Sequence, residues 1–73
     1  MINATELFEK LVESGIWFSL CPTQGMDGKW RFYPCIRGRD EYLDTLGETL
    51  HWLGTAAAEL YPDSEFAKWW KTQ

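Results

Sequence analysis

Two strand-like segments joined by a short glycine-containing link most constrain how this chain can fold. "IWFSLC" at 16–21 and "KWRFYPCI" at 29–36 are rich in the β-branched and aromatic residues that favour strands. The link between them, residues 22–28, is too short for the crossover that a parallel pair requires. The sequence therefore predicts an antiparallel hairpin with strands at 16–21 and 29–36.

The apolar spacing along these two segments predicts their register. Side chains alternate between the two faces of a strand, and the residues of even number are mostly apolar. The face expected to pack on the helices comprises Ile16, Phe18, Leu20, Trp30, Phe32, Pro34 and Ile36. Grouping them requires opposed residues whose numbers sum to an even value, so a loop of odd length is favoured over a two-residue Asp27-Gly28 turn. Pro34 has no amide hydrogen to donate and is expected at an open edge.

The opposite face is predicted to be basic and aromatic, and it is the first candidate binding surface. Residues 29–39 hold four of the chain's seven basic side chains and no acid. The candidate contact residues on this face are Trp17, Lys29, Arg31, Tyr33 and Arg37. Rings that stack on bases and cations that neutralise phosphates are typical of nucleic-acid-binding surfaces. The alternative is structural, because arginine and lysine stems commonly cover exposed sheet aromatics.

A helix is predicted on each side of the hairpin. The first covers residues 4–14, because Asn3 and Glu6 have the spacing of a capping box and Gly15 suits the left-handed residue that ends a helix. A short closing helix is predicted over residues 64–71.

Between the hairpin and the closing helix, a long helix is predicted over residues 40–61. Its apolar residues recur at alternating spacings of three and four: Leu43, Leu46, Leu50, Leu53, Ala57 and Leu60. Such a seam suits the core of a domain or a dimer interface, and burial within the chain is favoured because the hairpin and first helix need a packing surface. Gly47 and Gly54, beside the seam, predict close packing of the helix backbone.

The long helix is also predicted to carry a second candidate surface, which is acidic. Residues 40–67 contain seven acids and no base. The candidate contact residues near its start are Asp40, Glu41, Asp44 and Glu48. A surface of this kind can dock on a basic groove or imitate nucleic acid, and its structural alternative is a solvated helix face. Trp69, expected to point away from the core, is a further candidate contact residue.

No combination of residues predicts catalysis, a metal site or a cofactor. His51 is the only histidine, and Cys21 and Cys35 lie fourteen residues apart, which matches no metal-binding spacing. The chain is therefore expected not to be an enzyme. Free thiols and the lack of a long apolar run favour a cytoplasmic protein that does not enter membranes.

Together these features predict a single α+β domain over residues 1–73. The expected order is α-β-β-α(-α), a two-stranded antiparallel hairpin with helices packed mainly on one face. In size and acidity the chain resembles small acidic accessory proteins of phages and mobile elements, including the anti-CRISPR inhibitors.

That resemblance implies a non-enzymatic protein that docks on a larger protein or protein–nucleic-acid complex and inhibits or modulates it. A nucleic-acid-handling host complex of the CRISPR type is the implied target. The two alternatives are a small nucleic-acid-binding module that uses the basic hairpin face, and a structural homo-oligomer. The expected oligomeric state is a monomer or a homodimer.

Overall fold

The two strand segments pair as an antiparallel hairpin, with one helix before it and two after it. The computed structural model describes residues 3–73. Its elements are α1 (Ala4–Glu13), β1 (Ser19–Gln24), β2 (Trp30–Ile36), β3 (Arg39–Asp40), α2 (Leu46–Leu60) and α3 (Glu65–Trp70). The strands form one antiparallel sheet in the order β1-β2-β3. The predicted α+β class is confirmed, and the short third strand is an addition to the predicted hairpin.

The register of the hairpin follows the apolar pattern. Leu20 lies opposite Pro34, and Gln24 lies opposite Trp30, so the numbers of opposed residues sum to an even value as predicted. Residues 25–29 connect the paired strands, which confirms a loop of odd length.

β1 is shifted three residues along the chain from the predicted 16–21. The cause is that Ile16 belongs to the end of α1. Gly15, at φ 69°, donates its amide to the Val12 carbonyl at 2.9 Å, and Ile16 donates to the Leu11 carbonyl at 3.0 Å. These two bonds are the Schellman arrangement that ends many helices. This arrangement holds Ile16 in the core at the end of α1. The chain can therefore begin β1 only after Ile16, at Ser19.

Residues 40–44, predicted as helix, run back along β2 instead. Arg37 at φ 43° and Gly38 at φ 82° form a two-residue turn, and positive φ at both positions matches the twist of a hairpin. Further along, Leu43 and Phe32 exchange two hydrogen bonds of 2.8 and 2.9 Å. The predicted start of the long helix at residue 40 is therefore wrong.

α2 begins at Leu46, after the N-cap residue Thr45. The Thr45 hydroxyl accepts a hydrogen bond from the Glu48 amide at 3.2 Å and donates one to the Glu48 carboxylate at 3.0 Å. This is a form of the capping box, whose Thr-x-x-Glu spacing is present in the sequence. The local cap, rather than the spacing of the leucines, decides where the helix starts.

Pro34 lies in the central strand rather than at an open edge. Alternation along the ladder turns its imide nitrogen toward the third strand, between the Ile36–Arg39 pair and the Phe32–Leu43 pair. Pro34 thus faces the edge of its strand away from β1, as predicted, but that edge is covered by the third strand, and the missing donor falls where the ladder is interrupted.

The core lies between the helices and the end of the sheet nearest the β2–β3 turn. Its buried apolar residues are Leu7, Leu11, Ile16, Ile36, Leu50, Leu53, Ala56, Ala57 and Phe66. The middle of the predicted leucine seam is therefore buried within the chain, whereas Leu43 precedes the helix and Leu46 is exposed. None of the helices within residues 3–73 is long and apolar enough to cross a bilayer.

Burial on the helix-covered face falls steadily toward the far end of the hairpin. Ile36 and Pro34 are buried, Phe32 is half-buried, and Trp30 is 66 % exposed. The prediction that Trp30 belongs to the core is wrong, because the helices cover only the opposite end of the sheet. The molecule measures 39 × 26 × 16 Å, and the strands beside the 25–29 loop extend past the core.

Candidate functional site: the open face of the hairpin

The face of the sheet turned away from the helices is called the open face here. It carries Cys21, Thr23, Arg31, Tyr33, Cys35, Asp40, Tyr42 and Asp44. Cys35 lies opposite Asp40, and the register of the Phe32–Leu43 pair sets Tyr42 opposite Tyr33. The segment that follows the β2–β3 turn therefore delivers its side chains onto the predicted binding surface.

Arg31 is held by two carboxylates on this face. Its guanidinium donates two hydrogen bonds to Asp27, at 2.8 and 3.2 Å, and a third to Asp44 at 3.0 Å. The Arg31 guanidinium, with help from the Lys29 amide, lowers the pKa of the Asp27 carboxyl to about 2. The same two carboxylates raise the pKa of Arg31 above its already high ordinary value. Arg31 is thus a bound structural cation.

Tyr33 is covered rather than free. Its hydroxyl donates a hydrogen bond of 2.8 Å to Asp40, and this bond raises the pKa of the Tyr33 phenol above its ordinary value. Its ring packs against Tyr42, with 4.6 Å between ring centroids. Tyr42 forms the outer layer of this pair and is 62 % exposed.

The charge of the open face is the reverse of the predicted one. Asp40, Glu41 and Asp44 are not on a helix, and two of them are bonded to the residues predicted to form a basic surface. On this face Asp40 and Asp44 supply two negative charges against one positive charge from Arg31, which leaves −1; the loop residues Asp27 and Lys29 cancel each other. The prediction of a basic face is wrong because it considers the side chains of β2 without those of the neighbouring segment 39–44, which adds Asp40 and Asp44.

Two of the predicted basic contact residues lie differently from Arg31. Arg37 occupies the β2–β3 turn and places its guanidinium over the Tyr61 ring, 5.2 Å from the centroid, a cation–π contact. Lys29 is exposed in the loop, and its ammonium forms no ion pair with any residue that the structure describes.

The remaining predicted contact residues are scattered over the molecule. Trp17 is 73 % exposed but precedes β1 and lies outside the ladder. The Glu48 carboxylate accepts a hydrogen bond from the Thr45 hydroxyl at the start of α2. Trp69 is half-buried against Phe66, 5.6 Å between centroids, so it does not point away from the core as predicted. It lines a cavity of about 580 Å³ between α1 and α3.

Three exposed residues at the far end of the hairpin are not among the predicted contact residues. Met26 is fully exposed in the loop, Trp30 is exposed on the helix-side face, and Tyr42 is exposed on the open face. Residues 24–31 together with Tyr42 are called the hairpin end below. The Arg37-Gly38 turn signal identifies the third strand, and with it Tyr42 could have been placed beside Tyr33.

The cysteines and the histidine lie apart from one another in the part of the chain that the structure describes. Within residues 3–73 no cluster of three His, Cys, Asp or Glu side chains could hold a metal ion. Cys21 lies opposite Tyr33 and Cys35 opposite Ser19, so the two free thiols are offset along the sheet. His51 packs against Trp70, 5.9 Å between ring centroids.

Comparison with known proteins supplies no functional assignment, so any proposal of function depends on the geometry of the structure. No protein-family model, curated protein or solved structure matches the chain.

Proposed function

We propose that this chain is a non-catalytic binding protein that docks on a macromolecular partner through the hairpin end and inhibits or modulates that partner. One observation carries the proposal: Met26, Trp30 and Tyr42 are exposed around one projecting hairpin. Large side chains left exposed at one end of a sheet are typical of contact surfaces, and aromatic residues dominate the binding energy of many interfaces.

The hairpin end is also rigidly positioned. Arg31 ties the loop residue Asp27 to Asp44, and Tyr42 rests on Tyr33. A surface that is ordered before binding loses less conformational entropy on association. This rigidity supports recognition by a preformed surface.

The alternative of a nucleic-acid-binding module has less support. Arg31 is neutralised by two carboxylates, and Arg37 is directed to Tyr61 at the other end of the sheet. Lys29 is then the remaining cation of the predicted basic face. A single lysine supplies little of the phosphate neutralisation that drives nucleic-acid binding.

The proposal is tested by capture with matched variants. The wild-type chain, a Trp30→Ser/Tyr42→Ser double variant and a Val12→Ser control are immobilised and exposed to extract of the source cell. Val12 is a suitable control because it is an apolar residue of α1 that is 70 % exposed.

The expected result is a partner retained by the wild type and by Val12→Ser but lost with the double variant. The purified partner should then show altered activity when the wild-type chain is added. Capture that is indifferent to both aromatic residues, or binding with no effect on the partner's activity, would contradict the proposal. A cytoplasmic location remains a prediction. It is tested by separating the source cell into fractions and locating the native chain among them.

A further inference from the structure

The exposed aromatic ring of the open face lies among carboxylates that still have free acceptor capacity. Asp44 accepts a hydrogen bond from Arg31 through one carboxylate oxygen, and its side chain is 75 % exposed. Asp40 accepts the Tyr33 hydroxyl through one oxygen only. A carboxylate can accept several hydrogen bonds, so both groups can bind a further donor without releasing the present one.

Tyr42 lies between these two acids in the chain, and its ring is backed by Tyr33. The outward face of an aromatic ring attracts a cation, and a nearby carboxylate adds a charge-assisted hydrogen bond. The arrangement therefore matches an arginine or lysine side chain laid over the Tyr42 ring, with its charged group reaching Asp40 or Asp44.

The charge of the surface selects among macromolecular partners. The open face carries −1, and the chain as a whole carries −4. A second copy of this chain would bring like charges together, and nucleic acid would do the same. A basic protein surface is the partner class that this face attracts.

We infer that the open face, centred on Tyr42, docks on a basic surface of a partner protein that places an arginine or lysine side chain over the Tyr42 ring. This inference rests on the proposed function and specifies the chemistry of the partner. Asp40 and Asp44 orient the incoming cation, while Met26, which lines the same cavity as Tyr42, widens the apolar contact.

The test uses a short peptide of arginine residues as the probe and the isotope-labelled full chain as the target. Binding is followed by amide chemical shifts, which also locate the contact. A peptide of glutamate residues and a single-stranded DNA oligonucleotide serve as comparison ligands. The arginine peptide should shift the amides of Tyr33, Asp40 and Tyr42, and the other two ligands should leave them unchanged.

Variants separate a specific site from general attraction to an acidic protein. Asp40→Asn/Asp44→Asn and Glu6→Gln/Glu9→Gln each remove two negative charges, the second pair from the exposed surface of α1. The first pair should weaken peptide binding about tenfold, the size of roughly 1.4 kcal/mol, and the second pair less than about twofold. Tyr42→Ala should weaken it several-fold with both carboxylates in place.

Three results would overturn the inference: equal weakening by the two double variants, full affinity with Tyr42→Ala, or shifts located on α1. Because Asp44→Asn also removes an ion pair of Arg31, the single variant Asp40→Asn is measured beside it; its amide oxygen can still accept the Tyr33 hydroxyl.

The outcome is distinguishable from failure of the proposed function. If capture depends on Trp30 and Tyr42 but the complex is unaffected between about 20 and about 200 mM salt, a range over which exposed charges become strongly screened, the inference fails and the proposed function stands. If capture is indifferent to those two residues, the proposed function itself fails.

Discussion

Arg31 determines the electrostatics of the open face because one guanidinium bonds two carboxylates from different parts of the chain. Asp27 comes from the β1–β2 loop, and Asp44 comes from the segment after the β2–β3 turn. The side chain of Arg31 is only 28 % exposed, and both partners are at the surface. Ion pairs this exposed contribute little to stability, so the main effect of Arg31 is to fix positions and charge.

Arg31→Gln should therefore raise the pKa of Asp27 from about 2 toward the ordinary value of 3.8. The folded-state pKa of Asp27 lies below the unfolded value, so the stability that the pair contributes is present above about pH 4 and is lost as the pH falls through about 2. Carboxyl-carbon chemical shifts followed against pH measure this pKa directly.

The control for this prediction is Arg39→Gln, which removes the separate ion pair of Arg39 with Glu59. It should leave the titration of Asp27 unchanged. Identical Asp27 midpoints in the wild type and in Arg31→Gln would show that the guanidinium does not set this pKa.

Asp40→Ala should lower the pKa of Tyr33, since the Asp40 carboxylate accepts the hydrogen bond that favours the neutral phenol. The raised folded-state pKa means that the contact stabilises the fold fully below the unfolded value, about pH 10, and less as the pH rises above it. The ring-carbon shift of Tyr33 followed against pH is the measurement. Tyr42→Phe keeps the Asp40 bond and should leave the pKa of Tyr33 raised.

At the scale of elements, two glycines of α2 have opposite roles. A Cβ atom at Gly54 would overlap with the Trp70 ring, whereas Gly47 has open space around it. Gly54→Ala should reduce the free energy of unfolding by about 1–3 kcal/mol, because the indole of Trp70 must move out of a packed position.

Gly47→Ala should instead increase the free energy of unfolding by about 0.5–1 kcal/mol, because alanine is the better helix former and meets no neighbour. Denaturant unfolding of the two variants beside the wild type tests the pair. If both variants changed the free energy of unfolding in the same direction, packing against Trp70 would not be what distinguishes Gly54 from Gly47.

The elements that sequence reasoning located correctly are those defined by local signals. Asn3 accepts the Glu6 amide as the predicted N-cap, and Gly15 ends α1. The register of β1 and β2 follows from apolar alternation, which a one-residue slip would have reversed. These features depend on residues close together in sequence or on a short loop.

The misplaced start of the long helix has a different cause. Leucine spacing was continuous from Leu43, but the Arg37-Gly38 turn starts a third strand before it, and the Thr45-x-x-Glu48 cap starts the helix only after Leu43. Because the intervening acids were assigned to a helix, the position of Asp44 beside Arg31 on the sheet could not be derived. The candidate site was thus only half predictable: its residues were identified, but their charge balance depended on the third strand.

On the scale of the whole molecule, the helices support one end of the sheet and leave the other projecting. The amides of Thr23 and Arg31, near the β1–β2 loop, should therefore exchange with solvent faster than the amide of Leu53 in the core. Hydrogen exchange followed by magnetic resonance measures this difference. Equal protection would indicate that the hairpin end opens only with the whole fold.

The first and last helices are joined by a contact between residues far apart in the chain. The Ser14 hydroxyl accepts the Phe66 amide at 3.0 Å, and Leu7 and Leu11 share the core with Phe66. α1 therefore obtains part of its packing from the last segment to leave the ribosome among these elements. Because α1 is synthesised before α3, its apolar stripe stays exposed until the residues of α3 have left the ribosome.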